Sequence, residues 1–93
     1  MIKGFKNEET AKIYNEERSR KFPFDIQKTA FRKLEMLAAA TSLKSLAVPP
    51  NNRLEKLRGK RAGQHSIRIN GQWRICFRFE DGNAYDVEIC DYH

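Results

Sequence analysis

Two hydrophobic periods divide the chain. From residue 24 to about residue 42 the apolar positions are Ile26, Ala30, Leu34, Leu37 and Ala38, with Phe31 on the flank. Those spacings follow the helical repeat and predict a helix opened by Pro23 and ending near Thr41 or Ser42. Ahead of it, Asn7 is a good N-cap, and Glu8 and Glu9 suit the positive end of a helix dipole. Glu8 and Lys12 stand in the favoured i, i+4 order. A helix over residues 8–20 follows, with a thin apolar stripe of Ala11 and Tyr14 and Ile13 at its edge, so most of its surface is wet. Met1 to Phe5, apolar at Ile2 and Phe5, reads as a short first strand. Pro49, Pro50, Asn51 and Asn52 mark a loop.

Beyond that loop the period becomes two. His65, Ile67 and Ile69, then Trp73, Ile75, Phe77 and Phe79, then Tyr85, Val87 and Ile89 alternate with mostly polar residues. They predict three half-buried antiparallel strands joined at Asn70-Gly71 and near Asp81-Gly82. Burial selects the registers. A two-residue turn at Asp81-Gly82 sets Phe77 against Asp86 and Ile75 against Glu88, which places charge in the core. A three-residue loop, Asp81 to Asn83, sets Phe79 against Tyr85, Phe77 against Val87 and Ile75 against Ile89 instead. The same test places Ile69 opposite Trp73, despite the Asn-Gly signal for a tighter turn. Helices followed by strands indicate an α+β domain: a small antiparallel sheet with two N-terminal helices packed on one face.

At 93 residues, 1–93 reads as one domain with a small core. An apolar content of 40% suffices to build it. No apolar run approaches the roughly 18 residues of a membrane span, and residues 1–20 lack a secretory signal. Cys76 and Cys90 are too few for a disulfide scaffold and lack the spaced partners of a zinc site. Their expected diagonal placement, about 7–8 Å apart, is too far for a disulfide, so both read as free thiols. A reduced, cytoplasmic setting with no membrane is the expectation. Eighteen Lys and Arg against twelve Asp and Glu leave a formal charge of +6, which points to a polyanionic partner.

The register assigns the other sheet face. It carries Ser66, Arg68, Gln72, Arg74, Cys76 and Arg78, then Asp86, Glu88, Cys90 and Tyr92 from the last strand. Arg74 falls opposite Cys90, opposite Arg68 on its other side, and diagonal to Tyr92. A basic loop precedes these strands, with Arg53, Lys56, Arg58, Lys60 and Arg61. Together these cations form a positive, exposed face suited to nucleic-acid phosphates, although a merely solvated charged face has the same composition.

The chain closes on Asp91-Tyr92-His93. His93 titrates near neutrality and can move a proton. Tyr92 can stack on a base. Arg74 can grip a phosphate through two parallel bonds and stabilise charge developing on it. Those groups suffice for RNA cleavage without metal or cofactor, in which the ribose 2′-hydroxyl attacks the adjacent phosphate. His65 alternates onto the apolar face and reads as a core-edge histidine, and the carboxylates form no ligand cluster. By residue type alone, this chemistry is one reading among several.

The stretch Asn52-Arg53-Leu54-Glu55 through Gly63-Gln64-His65-Ser66-Ile67-Arg68 resembles the HigB toxins of the RelE/ParE superfamily. So do Trp73-Arg74-Ile75-Cys76-Phe77 and Val87-Glu88-Ile89-Cys90-Asp91-Tyr92-His93. The opening Met1-Ile2-Lys3-Gly4-Phe5 and the helix Arg32-Lys33-Leu34-Glu35-Met36-Leu37 extend the likeness over nearly the whole chain. The resemblance implies a RelE-like microbial ribonuclease fold and the toxin role in a type II toxin–antitoxin system. It implies messenger RNA cleavage in the A site of the 30S ribosome, and neutralisation by a HigA-like helix-turn-helix antitoxin. By position, Arg74 is then the phosphate-stabilising arginine, Tyr92 the stacking or orienting tyrosine and His93 the proton-moving histidine. Arg58 stands where relatives can have a lysine. It keeps the charge but, with a pKa of about 12.5 or higher, is a poor proton donor. Glu55 stands where one relative has a histidine, and reads either as a base or as a surface residue. Arg53, Lys56, Lys60, Arg61, Arg68 and Arg78 are the candidate contacts to RNA or ribosome.

Two other readings stand beside this one. A ParE-like gyrase poison would not need the Tyr92-His93 ending. A non-catalytic nucleic-acid-binding module would show salt-sensitive binding without cleavage.

Overall fold

Asn7 caps α1 (Glu8–Tyr14): its side chain accepts the Thr10 N–H at 2.8 Å. The helix stops well short of residue 20. Residues 15–18 offer no apolar side chain to bury, and Glu16 takes a left-handed φ of 60°. The following segment is pinned through side chains instead: Ser19 donates to Glu9 at 2.7 Å, and Gln27 bridges the Ser19 and Phe22 carbonyls at 2.7 and 2.9 Å. Pro23 then opens α2 (Phe24–Ala39), which buries Ile26, Ala30, Leu34 and Leu37 along one stripe. It ends slightly earlier than the spacing predicts, because Ala40 is already extended at ψ 133°. Short 3₁₀ turns at Lys44–Ala47, Pro50–Asn52 and Gly59–Arg61 carry the chain onward. The structure, a computed structural model, describes residues 1–91; the roles expected of Tyr92 and His93 lie outside the described residues.

Among the described residues the sheet has four antiparallel strands in the order β1 (Glu55–Lys56), β2 (His65–Arg68), β3 (Trp73–Glu80) and β4 (Asn83–Asp91). β1 lies inside what the sequence reads as a basic loop, and two residues are too few for alternation to reveal them. The opening Met1–Phe5 stretch forms no regular strand. It makes two isolated parallel bridges along the free edge of β4, Ile2 with Ala84 and Phe5 with Val87. Thr10 continues that cover: its buried hydroxyl accepts the Ile89 N–H at 3.0 Å. An edge strand left open would template pairing with other chains.

Both helices pack on one sheet face. The core joins Ile13, Ile26, Leu34 and Leu37 to Ile67, Ile75, Phe77, Val87 and Ile89. Each such side chain stabilises the fold by about 1.5–3 kcal/mol when fully buried. The expected register holds at the first hairpin, where the Ile69 N–H donates to the Trp73 carbonyl at 2.9 Å. It also holds in the far half of the second, with Ile75 opposite Ile89 and Arg74 opposite Cys90.

Near the turn the register differs. Asp81 and Gly82 form the two-residue turn after all, with φ of 50° and 78°, so Glu80 pairs with Asn83 and Arg78 with Tyr85. Positive φ at both central positions is what a hairpin turn of matching twist requires. A bulge between Cys76 and Arg78 absorbs the extra residue, and Asp86 sits beside it at φ 52°. Thus Ala84 is buried in place of Tyr85, and Val87 and Ile89 return to the core. Tyr85 lies instead under the Arg78 guanidinium, 4.8 Å from the ring centroid.

Candidate active site

β3 carries Arg74 on the face away from the helices, as the alternation requires. The side chain is not exposed there: the residue is only 6% accessible. This corrects the expectation of an open cationic face, because Ser66 and Cys76 beside it are also buried, at 0% and 1%. The covering segment runs from Arg53 to Arg61. Arg53 adopts a left-handed φ of 45°, unusual for a residue with a Cβ, and this turns its carbonyl toward Arg74. The guanidinium donates from Nη2 to that carbonyl at 2.5 Å and from Nε to Ser66 Oγ at 2.7 Å. The Glu55 carboxylate stands 3.9 Å from Nη2. Burying a charge is costly unless oriented acceptors replace water, and this cradle does so.

The cradle is anchored from behind. Buried Asn52 donates to the Leu46 carbonyl at 3.1 Å and accepts from Lys33 on α2. Lys33 is nearly buried, and desolvation pulls its ammonium below its ordinary value. The residue preceding Arg53 is therefore tied to the core, which holds the carbonyl over Arg74.

Two concavities flank this arrangement. One of about 290 Å³ is lined by Arg53, Arg68, Asn70, Gly71 and Arg74. Another of about 440 Å³ is lined by Glu55, Lys56, Leu57, Arg58 and Arg61. Arg58 and Arg74 therefore line different hollows, and Glu55 belongs to one while touching the key residue of the other.

The remaining cations divide. Arg53, Lys56, Arg58 and Lys60 are exposed and make no ion pair with any described residue. Arg61 closes on Glu88 at 2.6 Å, and Arg78 meets Glu80 at 2.7 Å and Asp86 at 3.4 Å. Their charge is partly neutralised within the protein. Two carboxylates on β4 thus balance cations that composition alone counts toward the positive face.

His65 lies at the core edge, its ring stacked 6.5 Å from that of Phe77. Burial, then the nearby Lys56 charge, push its imidazole below its ordinary value. Its Nδ1 is buried with no hydrogen-bond partner among the described residues. Cys76 and Cys90 are free thiols, and the Cys90 thiol donates to the Glu88 carbonyl at 3.8 Å. The neighbouring Cys90, then the Arg61 and Arg74 charges, pull the Cys76 thiol below its ordinary value, while Cys76 and burial push Cys90 up. Among the described residues no three His, Cys, Asp or Glu gather as metal ligands.

Sequence reasoning missed two partners of Arg74. Ser66 was readable: once Arg68 faces Arg74, Ser66 lies diagonal to it on the same face. The Arg53 carbonyl was not, because nothing marks a non-glycine residue as left-handed. Asp91, opposite Trp73 at the end of β4, accepts from Gln72 at 2.9 Å.

The fold is the RelE-like α+β toxin fold. It superposes on a chain of the heterotetrameric YoeB–YefM toxin–antitoxin complex from Staphylococcus aureus with a TM-score of 0.59, at 22% identity, covering 100% of this chain and 95% of that one. It matches YafQ from Escherichia coli equally well, at 0.59 and 12% identity, over 99% and 92% of the two chains. In sequence, Toxin HigB-1 of Vibrio cholerae is 42% identical over 90 residues, 96% of this chain and 95% of that protein. Endoribonuclease HigB of Proteus vulgaris is 30% identical over 96 aligned positions, 100% of each chain. The family model for the RelE-like toxin HigB of type II toxin–antitoxin systems matches residues 3–93. The chain belongs to that family of HigB toxins.

Proposed function

We propose that this toxin is a ribosome-dependent endoribonuclease that cleaves messenger RNA in the ribosomal A site and so halts translation and growth. The observation that carries the reading is Arg74, a guanidinium desolvated and fixed by two short hydrogen bonds beside a cationic hollow. A preorganised cation is worth more to developing phosphate charge than a mobile one in water. The Proteus vulgaris relative, named an endoribonuclease, supports the same chemistry.

In this reading the 2′-oxygen attacks the adjacent phosphorus in line and the 5′-oxygen leaves. Arg74 stabilises the charge on the nonbridging oxygens. Tyr92 stacks on or orients the base and His93 moves a proton. Arg58 holds a phosphate from the second hollow, while Arg53, Lys56, Lys60 and Arg68 bind the strand or the ribosome, with Arg61 and Arg78 at the margin. No metal or cofactor is required, since these side chains supply both charge and proton transfer. Few of them are tuned for proton transfer, so the ribosome must orient the RNA and free RNA is cut poorly. The partner is a HigA-like helix-turn-helix antitoxin.

Replacing Arg74 with alanine tests this. Induced expression of the variant should no longer arrest growth, although the protein folds. Full toxicity of a folded Arg74→Ala protein overturns the reading.

A further inference from the structure

We infer that Ser66 is a positioning residue for catalysis, acting only through Arg74. This role rests on the ribonuclease reading above. Ser66 is fully buried on β2, and its hydroxyl is committed to the arginine. Oγ accepts the Arg74 Nε–H at 2.7 Å, while the Ser66 carbonyl lies 3.4 Å from Nη2. The Arg53 carbonyl takes Nη2 from the other side at 2.5 Å. An arginine bound at Nε and Nη2 by separate acceptors has its guanidinium plane fixed, not merely its charge located. That matters because phosphate recognition by arginine is planar and directional. Arg53 is held by the tethered Asn52, but Ser66 belongs to the sheet itself and sets the plane against the most rigid part of the fold. Without Oγ the guanidinium keeps its charge and can turn about its last torsion.

The test measures cleavage of ribosome-bound messenger RNA by four purified proteins: wild type, Arg74→Ala, Ser66→Ala and Ser66→Thr. Each is also checked by thermal melting. Ser66→Ala should still fold, melting below the wild type because the buried Nε–H loses its acceptor, and should lose about 10- to 100-fold in kcat, as a misplaced catalytic group does. Its KM should stay within about twofold, because phosphate attraction survives while transition-state alignment does not. Ser66→Thr, which keeps the acceptor, should restore kcat. In nitrogen-15 spectra, the Arg74 Nε–H resonance should be protected from solvent exchange in the wild type and lose that protection in Ser66→Ala. This readout is decisive even if the threonine methyl unfolds the site.

Wild-type kcat in a folded Ser66→Ala protein overturns the inference, and so does a change confined to KM. An unaltered Nε–H resonance does the same. If these occur while Arg74→Ala is inactive, the ribonuclease reading stands and only the role of Ser66 falls. If the wild type does not cleave, or Arg74→Ala cleaves equally well, both fall together.

Discussion

The Thr10 hydroxyl of α1 accepts the backbone N–H of Ile89 at 3.0 Å, across 79 residues of chain. It fixes the first helix to the outer edge of β4, at a point where no strand covers the ladder. Thr10→Val keeps the shape and removes the acceptor. The Ile89 N–H is then buried without a partner, which costs about 1–3 kcal/mol. Denaturant titration of the two proteins measures the difference, and an unchanged midpoint would show that the bond contributes nothing.

Acid should weaken the fold through His65. Burial holds its folded pKa below the ordinary value of 6.5. Between those two values the unfolded chain binds a proton that the folded one refuses, so stability falls as pH drops through 6.5 toward the folded value. Replacing His65 with phenylalanine keeps the ring against Phe77 and removes the titration. Melts at about pH 7.5 and 5.5, either side of the ordinary histidine pKa, should show a smaller acid loss in the variant than in the wild type. An equal loss in both would assign the acid sensitivity to other groups.

Arg53 separates two contributions that one residue makes. Its carbonyl holds Arg74, while its side chain faces the cationic hollow. Arg53→Gly suits the left-handed backbone, so the carbonyl stays in place and stability changes little. RNA affinity should weaken, with the slope of log affinity against log salt falling by roughly one. An unchanged slope would remove the Arg53 side chain from the phosphate contacts.

The legible part of this molecule was the part governed by burial. Alternation placed Arg74 opposite Cys90 and on the sheet face away from the helices, because the opposite choice would have put charge among Ile75, Ile89 and Phe77. The Asp86 bulge was not legible. Burial demanded one register and the Asp-Gly turn another, and the chain satisfies both by inserting a residue where Asp86 tolerates φ of 52°. Burial alone misplaces Tyr85 and Ala84, and the turn alone puts Asp86 and Glu88 in the core. The face around Arg74 was misjudged as open for a related reason. What covers it is a segment of irregular backbone, held by a buried asparagine and a left-handed arginine, and neither has a periodic signature. Pairing of Arg61 with Glu88 and of Arg78 with Glu80 was likewise invisible to a count of charges.

Arg74, as the group that stabilises the breaking phosphodiester, is the centre of the proposed mechanism. The most direct measurement maps messenger RNA 5′ ends after brief expression of the wild-type toxin and of Arg74→Ala, each shown to be folded. New ends in frame within translated regions should accumulate with the wild type and be absent with the variant. The same ends at the same abundance from the folded variant would contradict that mechanism.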